Sequence, residues 1–417
     1  MSSFSFSRRN RKTAAAVATL AAAALVLSGC AATDGGSATG DLTLSIGTAL
    51  PQTGSLAFLG PPEEAGVALA VKDINEANKG IQIEITYGDS GDLDNKAYET
   101  EIPRLLNAGV KAIVGAASSG VSLAFIDQVV GAGVLQISPA NTSPAFATYA
   151  DNGLYFRTAP SDALQGEVLG NLLAEDGHET VSMIVLNDAY GTGLRDATQK
   201  TFEATGGEVL AAPLFNNDET TFTTQIAEAL AGGPDAIVLI TFVQAETILP
   251  SLLSQFDAAN IYLVDGNLAQ YGELFEAGAM EGIQGTKPGP VNPDAGAAFN
   301  ERLEAHWVAE GNPSLDGEYT YGDGAYDAVI LLALAALASG SVEGVSMASK
   351  MQEVSGGSGD GTKCATFAEC ADIINGGGVA DYDGITGPIT FDAAGEVTAA
   401  KVDVYIYDAT NEFALKN

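Results

Sequence analysis

Histidine, cysteine, tryptophan and positive charge are all scarce in this chain of 417 residues. It holds two His, three Cys and one Trp, and 18 Lys and Arg against 53 Asp and Glu. Neither His178 nor His306 has a Cys or His partner at ligand spacing, which argues against a zinc site. The formal charge of −35 repels nucleic acid and anionic headgroups and weighs mildly against free polyanions as ligands. The alternative is that the acidity serves only solubility. There is no Gly-x-Ser-x-Gly elbow, no phosphate loop ending in Gly-Lys-Ser/Thr and no zinc helix. Gly191-Thr192-Gly193 lacks the third glycine of a dinucleotide fingerprint. The reading is therefore a chain that is not an enzyme, with no cofactor and no metal. What is plentiful is apolar residue, 46% of the chain. That allows a sizeable core, and the length fits two domains of ordinary size.

The amino terminus is the basic exception. Arg8, Arg9, Arg11 and Lys12 precede an Ala-rich apolar run from Thr13 to Leu27. These are the marks of a secretory signal peptide, and the run is too short for a settled transmembrane helix. Leu27-Ser28-Gly29-Cys30 resembles the bacterial lipobox, which implies a signal peptide over 1–29 and acylation of Cys30. The alternative is an ordinary cleavage site with a chance Cys. Residues 30–41, small, polar and Gly-rich, read as a tether. The four leader cations removed, 14 basic residues face 53 acidic ones. Cys364 and Cys370 remain, and two Cys in an exported chain read as one disulfide. Six residues apart on a continuous helix they lie too far from each other to bridge, so a loop or broken helix is expected there.

From Leu42 short apolar runs alternate with helical patterns. Strands are expected at Leu42–Gly47, Ile81–Tyr87, Ala112–Val114 and Val134–Ile137, with helices at Glu64–Asn78 and Tyr98–Ala108. The rhythm pauses at Tyr155–Pro160. It restarts with strands at Val181–Leu186, Glu208–Leu214, Ala236–Thr241 and Ile261–Val264, then pauses again at Thr286–Pro290. Such alternation indicates parallel sheets with helices on both faces. Asp294–Glu310 and Tyr321–Ala338 read as helices. The second is apolar on nearly every side over Leu331–Ala338, which marks a buried core helix. The tail differs, with strands expected at Ile389–Phe391 and Val402–Tyr407 around a turn at Asp392–Glu396.

Five local patterns then converge in order: Gly66-Val-Ala-Leu-Ala-Val-Lys-Asp-Ile-Asn75, Gly115-Ala-Ala-Ser-Ser119, Ser138-Pro-Ala-Asn-Thr142, Asp188-Ala-Tyr-Gly-Thr-Gly-Leu194 and Tyr382-Asp-Gly-Ile-Thr-Gly387. Behind a lipobox, they resemble the branched-chain amino-acid class of ABC-transporter substrate-binding proteins. The resemblance covers Leu42 to Asn417. It implies an α/β fold of the type I periplasmic-binding-protein kind: two Rossmann-like lobes with parallel-sheet cores, joined by three hinge crossings near Thr158, Pro288 and Phe391. Lobe I would comprise 42–158 plus 288–390, and lobe II 159–287 plus 391–417.

The family's ligand contacts carry over by position. Ser119 and Thr142 match donors to a ligand carboxylate, and the Ala140 carbonyl matches an acceptor for the ligand ammonium. Loops at the carboxyl ends of parallel strands, beside helix N-termini, suit an anion. Tyr190 and Phe242 match aromatic walls, Asp265 an acidic partner of the ammonium, and Tyr321 an aromatic near the side-chain pocket. The plainer readings are helix caps for Ser119 and Thr142, packing for Tyr190 and Phe242, and a turn at Asp265-Gly266. The sequence departs from the best-known leucine-binding members. Leu59 replaces a pocket Tyr, Asp265 is one methylene shorter than their Glu, and Ser118 stands where one Cys of their early disulfide would be. The pair Cys364/Cys370 looks like the variant of other members.

The function this implies is an extracytoplasmic receptor of an ABC importer. It would bind a branched-chain or other neutral amino acid in the inter-lobe cleft and deliver it to permease subunits. It would act as a monomer, lipid-anchored on the outer face of the cytoplasmic membrane or in the periplasm, with no nucleic-acid partner. The alternatives are a receptor for an amide, urea-like compound or small carboxylate, and a sensory module of the same fold.

Overall fold

The computed structural model describes residues 41–416, so the expected leader, Cys30 and nearly all of the tether lie outside the described residues. The first stretch runs β1 (Leu42–Ala49), α1 (Gly60–Ala77), β2 (Ile81–Thr86), α2 (Tyr98–Ala108), β3 (Ala112–Gly115), α3 (Ser119–Gly131), β4 (Leu135–Ser138) and β5 (Tyr155–Arg157). Its five strands form one parallel sheet in the order β2-β1-β3-β4-β5. Every residue of β3 and β4 is buried, as a sheet covered on both faces requires.

The second stretch runs α4 (Asp162–Glu175), β6 (Thr180–Leu186), α5 (Ala189–Ala204), β7 (Glu208–Ala211), β8 (Leu214–Phe215), α6 (Thr223–Leu230), β9 (Ala236–Ile240), α7 (Ala245–Leu253), β10 (Ile261–Val264) and β11 (Gln284–Gly289). The third runs α8 (Pro293–Ala309), α9 (Gly322–Ser339), α10 (Gly344–Val354), β12 (Thr362–Cys364), α11 (Phe367–Asn375), β13 (Ala380–Tyr382), β14 (Lys401–Tyr407) and β15 (Phe413–Leu415). The second sheet has the order β15-β14-β11-β10-β9-β6-β7, with β8 also pairing β6. Its strands are parallel from β11 to β7, and β14 and β15 are antiparallel. Helices α8 to α11 return to the first core, where α9 packs on α1, α10 and α11. The chain thus passes between the sheets three times: after β5, after β11 and before β14.

The crossings are fastened to one another. Buried Arg157, at the end of β5, ion-pairs with Glu396, just before β14. Its backbone N–H donates to the Gly395 carbonyl at 3.2 Å. Strands β11 and β14 pair without interruption from Gln284↔Ile406 to Gly289↔Lys401.

Helix α9 is buried along nearly all its length, as its all-round apolarity predicts. Its approach to α1 needs Gly66: a Cβ there would meet the Gly322 carbonyl oxygen at 2.1 Å.

The structure corrects four expectations. Helix α1 starts at Gly60, not Glu64, because Pro61 and Pro62 occupy the first turn, where no N–H is required. The strand expected at Glu208–Leu214 is two, β7 and β8, broken around Pro213, which has no donor to give a ladder. Thr286–Gly289 is no pause but part of β11. Ile389–Phe391 forms no strand and has only the bridges Asp383↔Pro388 and Phe391↔Val397 beside it.

Candidate functional site

Two loops at the carboxyl ends of β3 and β4 form one wall. Ser118 caps α3, its Oγ accepting from the Val121 N–H at 3.4 Å. Ser119 is the first residue of that helix rather than its cap. Its Oγ instead accepts from the N–H groups of Thr142 and Ser143, at 3.3 and 3.2 Å. The Asn141 amide donates to the carbonyls of Ala116 and Ala117 at 3.0 and 2.8 Å. The Arg157 guanidinium donates to the carbonyls of Asn141 and Ser143 at 3.0 and 2.9 Å. Each backbone turn is thereby held by a buried side chain.

The second sheet supplies the facing wall. Asp265 follows β10 directly and is 3% exposed. Its Oδ1 accepts from the Tyr190 hydroxyl at 2.7 Å and from Gln165 Nε2 at 3.0 Å. Its Oδ2 accepts from the Tyr321 hydroxyl at 2.7 Å. Burial raises the Asp265 carboxyl, and these neutral donors pull it back down. Burial, and then the Asp265 charge, push both phenols upward, so both remain donors. Tyr321 reaches Asp265 from the N-terminus of α9, across from the second sheet, in a left-handed conformation with φ 63°. Sequence reading placed Tyr321 near a side-chain pocket; here its hydroxyl donates to Asp265. The Phe242 ring, two residues past β9, stacks on Tyr190 at 5.2 Å between centroids.

Further contacts join the walls. Ser143 Oγ donates to the Ala189 carbonyl at 2.7 Å, and Ser55 Oγ to Asn217 Oδ1 at 3.0 Å. Lys287 Nζ donates to Thr320 Oγ1 at 3.0 Å. Asp188 caps α5, its Oδ1 accepting from the Gly191 N–H at 2.7 Å. Asp188 Oδ2 is shut off from solvent and has no partner among the described residues; burial pushes this carboxyl up to about 6.

Between the walls lies a narrow cavity of about 10 Å³. Leu59, Ser119 and Ala140 line it from the first wall, and Tyr190, Phe242 and Asp265 from the second, with Tyr321 between. Seven of the eight residues singled out in the sequence therefore meet at one place. Thr142 does not line the cavity. It is buried behind Ser119, and its Oγ1 has no partner among the described residues. Leu56 and Ala117 complete an apolar side.

Sequence reading missed Asp162 and Gln165. Asp162 opens α4 and is fully buried, yet neither carboxylate oxygen has a partner among the described residues. Burial, and after it the neighbouring Asp265, raise its carboxyl well above the ordinary range. The Gln165 Oε1 is unpartnered too. The Thr142 side chain acts against the rise at Asp162, but burial outweighs it. In the sequence, Ser161-Asp162 reads as an ordinary helix start with a first-turn acid, and nothing local marks it as buried.

A family model described as periplasmic binding protein matches residues 43–409. The chain belongs to the periplasmic binding protein family. A Leu/Ile/Val-binding protein homolog 2 of Brucella abortus is 30% identical over 326 residues, covering 76% of this chain and 84% of that one. The chemotactic signal transduction system substrate-binding protein BasB of Halobacterium salinarum is 26% identical over 377 residues, covering 88% and 87%. Two solved structures share the fold. The branched-chain amino-acid transporter substrate-binding protein LivJ of Streptococcus pneumoniae, in complex with isoleucine, superposes with a TM-score of 0.69 at 22% identity, covering 90% of this chain and 100% of that one. A solute-binding protein of R. palustris in complex with benzoate gives 0.68 at 18% identity, covering 89% and 95%. Within the periplasmic binding proteins, the chain is of the branched-chain amino-acid class of ABC substrate-binding proteins, with the type I fold. It is a solute-binding receptor, and its family works outside the cytoplasm.

Proposed function

We propose that this periplasmic binding protein holds an α-amino acid with an apolar side chain between two lobes and delivers it to an ABC permease without chemical change. The lobes are 42–158 with 288–390, and 159–287 with 391–417. The observation that carries the reading is that buried Asp265 and the Ser119–Ala140 wall line one cavity. The Ser119 hydroxyl, held by the Thr142 and Ser143 amides, receives the carboxylate together with the backbone at the start of α3. The Ala140 carbonyl and the Asp265 carboxylate receive the ammonium, while Leu56, Leu59 and Phe242 enclose the side chain. An ion pair shut between lobes escapes much of the screening that weakens surface pairs.

Isothermal titration with leucine, isoleucine and valine tests this. Asp265→Ala removes a charge and frees both tyrosines, with an expected loss of about 2–5 kcal/mol, or roughly thirtyfold or more in affinity. Ser119→Ala is expected to cost less, about 1–3 kcal/mol, since backbone donors remain. The deaminated analogue should bind far more weakly than the amino acid. Equal affinity for the two would transfer the reading to a carboxylate or amide receptor. A sensory role is the second reading, which the likeness to BasB favours; capture of the closed form by a membrane transducer rather than a permease would establish it.

A further inference from the structure

Beside the binding cavity lies a second space. It is an open groove of about 240 Å³, lined by Phe58, Tyr271, Leu274 and Leu315 and also by Glu246, Asp316 and Glu318. It touches both cores, since Leu315 belongs to the first, Phe58 packs against the second, and Tyr271 and Leu274 follow β10. Phe242 is the residue that lines both spaces. Consecutive residues reinforce the division, Leu59 lining the inner cavity and Phe58 the groove. Phe242 is itself 4% exposed, whereas Val243 and Leu274 on the groove side are 41% and 57% exposed. One stacked ring thus stands between a small space and a larger groove that has both apolar and acidic lining. Its position is fixed on several sides. Tyr190 stacks against it, its N–H donates to Gln244 Oε1 at 3.0 Å, and a Cβ at Gly266 would meet its ring at 2.9 Å.

We propose that the Phe242 ring is the stop that sets the length of side chain this receptor accepts, and that the groove beyond it is a latent subsite for aromatic side chains. The inference rests on the amino-acid reading of the inner cavity. Removing the ring joins the two spaces while leaving Ser119, Ala140 and Asp265 in place. A bulky side chain would then pass over the anchor into the groove, burying its ring against Phe58 and Tyr271. Leucine, too short to reach, gains nothing there and loses the wall it packed on.

The test is isothermal titration of the full chain, Phe242→Ala and Phe242→Leu with leucine and phenylalanine, each protein's melting curve being recorded alongside. Wild type should favour leucine. In Phe242→Ala, leucine should weaken by about tenfold and phenylalanine tighten by about tenfold, as pocket volume changes of this kind do; Phe242→Leu should fall between. Adding Ala269→Trp, which fills the groove from its far side, should abolish the gain for phenylalanine. If the two ligands weaken in equal proportion in both folded variants, or if the gain survives Ala269→Trp, the proposal is overturned while the amino-acid reading stands. If neither amino acid binds wild type, that reading falls and takes the proposal with it.

Discussion

Asp188 serves two purposes that conflict. Its Oδ1 caps α5, which favours a charge at the helix N-terminus, while its Oδ2 is closed off without a partner. Burial dominates and lifts the carboxyl from its ordinary 3.8 to about 6. The native state therefore binds this proton more tightly than the unfolded chain does. The consequence is a destabilisation that is full above pH 6 and fades as pH falls towards 4. Asparagine keeps the cap and removes the titration. Asp188→Asn should be more stable than wild type at pH 7 by about 1–3 kcal/mol, with no difference near pH 4. Urea melts of both proteins across that range check it, and a difference independent of pH would refute the assignment. Legibility at this scale divides the same way. Ser119, Ala140, Asp265 and their companions came from the family resemblance, carried over by position, and the fold brings seven of the eight to one cavity. Asp162 and Gln165 were not legible, because unpartnered burial arises only when distant segments pack.

At the scale of elements, the disulfide shows what spacing alone decides. Cys364 ends β12 and Cys370 lies within α11, with Cα atoms 5.4 Å apart. The expectation of a loop or broken helix holds only in that a strand end and a turn precede the helix. The bridge fixes the entry of α11 into the first core, far in the fold from the cavity residues. Replacing both cysteines by alanine should lower stability by about 1–3 kcal/mol and leave ligand affinity within about twofold. Parallel denaturation and titration experiments check both halves, and a large affinity loss would show that α11 bears on the site. Most strands and helices of the two sheets were legible from apolar periodicity. Two of the failures share a cause: Pro61, Pro62 and Pro213 alter where a helix begins or a ladder stops, and periodicity does not register a missing N–H.

At the scale of the whole molecule, charge and anchoring bear on each other. A body with 53 acidic residues is repelled by an anionic membrane surface, so basic patches do not hold it there. If Cys30 carries the acyl chains that its lipobox implies, retention is purely hydrophobic. The full-length protein should stay with the membrane fraction through a high-salt wash, and Cys30→Ala should leave it soluble or uncleaved. Release of the wild type by salt, or no lipid mass on Cys30, would remove the anchor from the account.

Arg157 gives the molecule a mechanical property. It ties the first crossing to the third through Glu396 and the Gly395 carbonyl, while the β11–β14 ladder ties the third to the second. If the two lobes proposed above open and close, crossings fastened to one another leave them fewer relative orientations than three free threads would, and less orientational entropy is then lost when they shut on a solute that touches both walls.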